Sequence, residues 1–327
     1  MWRVTFLILV FLLSITNILA QEYGFDAWTT ANGLPQNTIT GVAQTPDGYL
    51  WLATFDGLAR FDGVRFTIFD KGNTKGIINN RFSKLFVDRQ GVIWAATENG
   101  VVTIYQNGVF ASFQPLEADD SSIGIVADAN GNAVIETNTG YYYLQDGKFI
   151  PAADQKENGK RFFYGKSGTK WILEQNGVSQ KKGGQTTNYS LELSPDLMSS
   201  ALNSLVFEDR QGALWLRFKD KLCRLADAKI TTFTRDEIPA FSNLLLQTIF
   251  DDAEGNVWFI FGAANPQAQI DGQLVRFNNE QFAFYNLEKS VPATFAFTDR
   301  EGNFWLATTN GLRRLRKQIV AALSVKD

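Results

Sequence analysis

Between Ile39 and Asp70 the chain alternates short apolar runs with glycine-bearing turns: ITGVAQT, PDG, YLWLAT, FDG, LARFD and, after Gly63, VRFTIFD. Runs of about six residues joined by such short turns predict four antiparallel strands in a meander. The second and third runs carry large apolar side chains at successive positions, as Tyr49, Leu50, Trp51 and Leu52 do. A sheet with one wet face would alternate apolar and polar residues, so both faces of these strands are expected to be covered.

The same pattern recurs along the chain. A glycine followed three residues later by tryptophan ends PDGYLW at Trp51, RQGVIW at Trp94, KSGTKW at Trp171, RQGALW at Trp215, AEGNVW at Trp258 and REGNFW at Trp305. A seventh copy, ANGNAV, places Val134 in the tryptophan position. The anchoring glycines are Gly48, Gly91, Gly131, Gly168, Gly212, Gly255 and Gly302. A period on the order of 40 residues, with turns at fixed phase, predicts an all-β fold: a seven-bladed β-propeller of four-stranded antiparallel blades. The regularly spaced indoles read either as sugar-stacking platforms or as packing between blades, and their match to the blade period assigns them to the seams. The glycines suit hairpin turns with positive φ, and no phosphate-binding loop pattern accompanies them.

At the amino end, FDAWT has the phase of a fourth strand and precedes the first complete blade. At the carboxyl end, QIVAALSVKD has the same phase after NFWLATTNGLRRLRK. Closure by the N-terminal strand, completing the last blade, is the solution that leaves no open edge. The last residues, Ser324 to Asp327, fall where a further repeat would begin, which suggests a fragment, or a truncated gene product, of something longer.

Residues 1–20 read as an export signal, with Arg3 before an apolar stretch and Ala20 before the cleavage point. An uncleaved anchor over Val4 to Leu19 is the rival reading, and both put residues 21–327, the propeller, outside the cytoplasm. Aromatic residues at 13%, including 27 Phe, supply ample core material. Net charge is −3 with the signs interspersed, which gives no basic stripe for nucleic acid. The chain has no His, and this removes imidazole zinc ligands, a His-based triad and a phospho-accepting His. No cofactor or metal is expected, and the single Cys223 forms no internal disulfide.

The string GLPQNTITGVAQTPDGYLWLATFDGLARFDGVRF, Gly33 to Phe66, resembles the two-component regulator propeller repeat. Val134 in place of Trp, and Asp220 in place of a turn glycine, depart from that pattern. The resemblance implies a periplasmic sensor region of a membrane receptor, whose output is a histidine kinase or diguanylate cyclase. It implies as partners a small polar or saccharide ligand, a second receptor chain in a homodimer, and the downstream signalling module. No kinase or cyclase motif is present in the chain itself.

In a propeller the loops from strand four to the next strand one share a face with those joining strands two and three. Here they carry Gln36, Asn37, Phe55 and Asp56 from blade one, Asn80, Arg81, Glu98 and Asn99 from blade two, and Arg161, Arg217, Phe218 and Asn310 further round. Amides, carboxylates, guanidiniums and an aromatic ring suit a polar ligand, through paired hydrogen bonds and ring stacking. Phe55 and Arg81 stand foremost. Several also have a structural reading: Asn37 and Asn80 as turn-backbone acceptors, Asp56 and Asn99 as hairpin residues before glycine, Arg81 and Arg161 as charges solvated or paired with neighbouring carboxylates. A non-enzymatic sensor is the leading function. A structural interaction platform is the alternative, and a propeller hydrolase or lyase the third, since Asp119 and Asp120 are adjacent and point apart on a strand.

Overall fold

The computed structural model describes residues 23–114, 124–137, 140–152, 160–165, 167–174, 176–191, 206–218, 221–263, 271–287 and 293–317. The expected export signal, the C-terminal QIVAALSVKD, the blade-six insertion around 264–270 and the Asp119–Asp120 pair lie outside the described residues. Among the described residues, seven four-stranded antiparallel sheets form seven blades. Six are consecutive meanders, blade one being Ile39–Gln44, Leu50–Thr54, Gly57–Phe61 and Phe66–Phe69.

The seventh sheet closes the ring. Its outer strand is the N-terminal Tyr23–Trp28, paired with Gly311–Lys317 in a register that sets Asp26 against Arg314 and Trp28 against Leu312. Arg314 donates from Nε and Nη2 to Asp26 Oδ2 at 3.0 and 2.6 Å, and Trp28 packs 5.5 Å from Trp305. First and last segments are thus joined by backbone ladder, ion pair and ring contact.

Burial follows each strand's place in the blade. All five residues of Leu50–Thr54 are buried, whereas none of Phe66–Phe69 on the outer edge is. The buried apolar residues fall into seven clusters, one per seam, and six of these contain a tryptophan. Trp51, for example, packs with Ile77, Phe82, Ile93 and Phe110 of the next blade. The indoles are therefore seam wedges.

Each repeat glycine lies at positive φ, as Gly91 does at 82°, and its N–H donates to the carbonyl three residues earlier. This is a type I turn followed by a left-handed residue, a common hairpin link. The residue three before the glycine turns out to be as important as the glycine itself. In four blades it is an aspartate whose Oδ2 accepts the indole N–H six residues on: Asp88 from Trp94 at 2.8 Å, Asp209 from Trp215 at 2.7 Å, Asp252 from Trp258 at 2.7 Å, and Asp299 from Trp305 at 2.6 Å. In three of these blades Oδ1 accepts two backbone N–H groups of the turn, as Asp209 does from Gln211 and Ala213, and Asp299 Oδ1 accepts one, from Asn303. One carboxylate thereby fixes both the hairpin and the wedge.

Blade four has Gly165 in the aspartate position, and the neighbouring blade compensates. A Cβ on Gly165 would lie 1.0 Å from Glu208 Oε2, so the Glu208 carboxylate occupies the space the aspartate would take. Glu208 is buried and accepts from Ser167 Oγ at 2.6 Å. Burial pushes its pKa up, while Ser167, Trp171, Lys182 and Thr169 pull it down by less. Trp171 Nε1 and Glu208 Oε2 are both buried and make no full hydrogen bond.

A second layer covers the indoles from the third strand. Trp51 pairs with Arg60, Trp215 with Arg224, Trp258 with Arg276 and Trp305 with Arg314. The guanidinium carbons stand 6.0, 5.8, 5.9 and 5.6 Å from the ring centroids. At this range a cation is attracted to the ring face and its aliphatic stem covers apolar surface.

Candidate functional site

The loop face is built by hydrogen bonds that cross the seams. Gly57 N–H donates to Asn80 O at 3.0 Å, and Gly311 N–H donates to Asn37 O at 2.8 Å, tying each second-to-third-strand turn to the segment that enters the next blade. The same two asparagines accept through Oδ1 from Thr30 N and Lys71 N, each at 2.8 Å. Asn37 and Asn80 therefore act as paired clamps on the loop backbone. Threonines at the ends of the second strands brace the turns from below, Thr54 Oγ1 donating to Gly57 O and Thr308 Oγ1 to Gly311 O.

Between blades one and two this framework brings together several of the expected residues. The Arg81 guanidinium lies 4.6 Å from the centroid of the half-buried Phe55 ring, although the two come from different blades. Arg81 Nε donates to Glu98 Oε2 at 2.7 Å, with the two side chains 57% and 44% exposed. Gln36 Oε1 accepts from Phe55 N at 3.1 Å and so holds the turn that carries the ring. Asp56 is exposed beside it. Asn99 Oδ1 accepts from Thr97 Oγ1 at 2.7 Å and from Asn79 Nδ2 at 2.9 Å.

Asn79 is a member the sequence reading missed. Its Oδ1 accepts from Arg81 N at 2.9 Å, and the available signal was its position two residues before that arginine. The outcome is an ordered, solvent-facing array of a stacked guanidinium, a carboxylate and amides. An exposed ion pair of this kind adds only about 0–1 kcal/mol to stability, so the fold does not depend on it.

The remaining expected residues lie elsewhere. Asn310 is exposed on the blade-seven turn, where its N–H donates to Thr308 Oγ1. Arg217 is half-buried in blade five and donates from Nη1 to Leu246 O of blade six at 2.9 Å, burial lowering its pKa. Its seam contact sets it apart from the Phe55–Arg81 group. Arg161 pairs with Leu173 and Phe218 with Lys221 in their sheets, and their side chains lie outside the described residues. Among the described residues no cluster of three or more Cys, Asp or Glu could hold a metal ion, and no helix is long and apolar enough to cross a membrane.

Fold and face together define a class: a ring-closed seven-bladed β-propeller that presents polar and aromatic side chains on its loop side. Within that class, residues 33–56 and 76–99 match the family model of the two component regulator propeller, so the chain carries that family's repeat in its first two blades. Among curated proteins none matches the sequence. Among solved structures, a streptogramin B lyase superposes with TM-score 0.63 at 17% identity, covering 90% of this chain and 98% of that one. The extracellular domain of a hybrid two component system, BT3049 of B. thetaiotaomicron, gives 0.62 at 19% identity over 89% of this chain and 40% of its own. That of a one component system, BT4673 of the same organism, gives 0.64 at 16% identity, over 91% and 42%. These identities establish a shared fold, and the chain spans about 40% of the length of the BT3049 domain.

Proposed function

We propose that the chain is a non-enzymatic sensing propeller on the extracytoplasmic side of a two-component-type receptor, taking a polar, saccharide-like ligand on the loop face of blades one and two. The observation that carries this reading is the Phe55–Arg81–Glu98 array. Arg81 presents fixed donors, Glu98 and Asp56 present acceptors, and Phe55 gives a flat apolar edge. Sugars are recognised by this mixture, because their hydroxyls both donate and accept while their C–H faces pack on rings. The family repeat and the fold shared with the extracellular domains of a hybrid two component and a one component system support the receptor context.

Isothermal titration calorimetry with an oligosaccharide panel tests it, using wild type, Arg81→Ala and Glu98→Gln. Arg81→Ala is expected to weaken binding at least tenfold, the loss of about 1.4 kcal/mol or more, with an unchanged circular dichroism spectrum. A panel without any binder, or a variant that binds like wild type, overturns the reading. Retained binding of an envelope protein under those conditions would point to the platform function.

A further inference from the structure

The seam between blades three and four differs from the other six. Its buried cluster is Val134, Tyr141 and Ala152, without a tryptophan. Beside Val134 lies a cavity of about 100 Å³, walled by Tyr141, Tyr143, Phe162 and Tyr164 and bordered by Asp128. It shares Val126, Ala127, Phe162 and Tyr164 with a larger cavity of about 310 Å³, lined by first-strand residues of blades two to five together with Glu136 and Leu173. The wedge is missing, and the space it would fill has not been closed by its neighbours.

The polar end of the wedge site is nevertheless intact. Asp128 stands six residues before Val134, as Asp88, Asp209, Asp252 and Asp299 stand before their tryptophans. Its Oδ1 accepts from Asn130 N and Asn132 N at 2.8 and 2.9 Å, the same turn geometry. Its Oδ2 accepts from Asn132 Nδ2 at 2.9 Å and, where an indole N–H would donate, from Tyr143 OH at 3.1 Å. Asp252 and Asp299 show that the second acceptor position tolerates an indole alongside the asparagine amide. Phe162, 4.5 Å from Tyr141 and 6.0 Å from Tyr164 between ring centroids, supplies aromatic walls.

We propose that this seam is a binding site for a flat aromatic ligand bearing a ring N–H, with indole as its smallest member. The ring takes the place of the absent tryptophan, the N–H competes with Tyr143 for Asp128, and any substituent extends into the larger cavity. Precedent in physical terms is direct: apolar cavities of roughly 150 Å³ made by truncating a core side chain stay dry and take up small aromatic molecules. The site is separate from the loop-face array and stands or falls independently of it.

The test uses indole and its isostere indene, which lacks the N–H, in calorimetry and thermal-shift titrations up to the solubility limit of each probe. Wild type is expected to bind indole saturably and more tightly than indene. Tyr143→Phe keeps the ring and removes the competing hydroxyl, so indole affinity should rise three- to tenfold with indene unchanged. Val134→Trp should raise the melting temperature and abolish indole binding, and Val134→Phe supplies the same block where the larger residue fails to fold. An absence of saturable indole binding in both wild type and Tyr143→Phe, or undiminished binding in Val134→Phe, overturns the proposal and leaves the seam a packing defect.

Discussion

Replacing Asp209 by alanine isolates the bond network that fixes hairpin and wedge together. Asp209 is 3% exposed and accepts three hydrogen bonds, from Trp215 Nε1 at 2.7 Å, Ala213 N at 2.9 Å and Gln211 N at 3.0 Å. Gln211 is exposed, so its N–H recovers a water partner, whereas Trp215 and Ala213 are buried and theirs do not. A buried donor without an acceptor costs about 1–3 kcal/mol, so two of them predict a loss of about 4 kcal/mol. Asp209→Asn keeps one acceptor oxygen and should lose about half as much. Urea denaturation followed by tryptophan fluorescence and far-ultraviolet circular dichroism measures both, read as a shift in midpoint at constant slope. Asp128→Ala is the internal control, because its partners Asn132 and Tyr143 are only partly buried and regain water. A loss below about 1 kcal/mol in Asp209→Ala, or equal losses at Asp209 and Asp128, would refute the claim that the buried indole bond is the stabilising element.

Two further predictions concern the seam between blades four and five. Gly165→Asp alone places its Cβ 1.0 Å from Glu208 Oε2 and should prevent normal folding of that seam, while Gly165→Asp with Glu208→Ala restores the aspartate–tryptophan pair found in four other blades and should lie within about 1 kcal/mol of wild type in thermal denaturation. A double variant no better than Gly165→Asp would contradict the idea that Glu208 substitutes for the missing carboxylate. Burial holds the Glu208 pKa above its ordinary 4.5, so the folded state keeps the proton longer than the unfolded chain does. Its contribution is full below pH 4.5 and is lost as pH rises through the folded value. Glu208→Gln, whose amide can accept from Trp171 and donate to Ser167, should remove that dependence and be the more stable protein at pH 7; a wild-type minus variant difference that does not change with pH would count against this assignment.

The architecture was legible because its causes are local. Strand alternation, turn glycines and the period of the indoles are properties of a few neighbouring residues, and the structure places Gly48 through Gly302 at positive φ and six tryptophans in seams as expected. Closure by Tyr23–Trp28 could be read because FDAWT has the alternation of a fourth strand and no partner nearer in sequence. The aspartate partner was overlooked although its spacing is fixed, since DRQG and DREG read as turn sequences and an aspartate at a turn has a sufficient local explanation.

What stayed hidden crosses from one blade to the next. Glu208 lies in the strand Val206–Glu208, and nothing near it in sequence says that it fills the gap beside Gly165. Asn37 and Asn80 resemble ligand-binding amides in isolation, yet each has its carbonyl committed to the turn of the preceding blade. In the sequence Arg81 is a charge and Phe55 a ring 26 residues apart, and the packing of two blades sets them 4.6 Å from each other. Val134 shows the same limit from the other side. A valine in a strand is unremarkable by propensity, and only the ring geometry turns it into a missing wedge, because the volume it fails to fill belongs to the seam with blade four. In a repeat protein the single-blade pattern specifies the module, whereas individuality arises where one module departs from the pattern and its neighbour either compensates, as Glu208 does, or leaves a cavity, as at Val134.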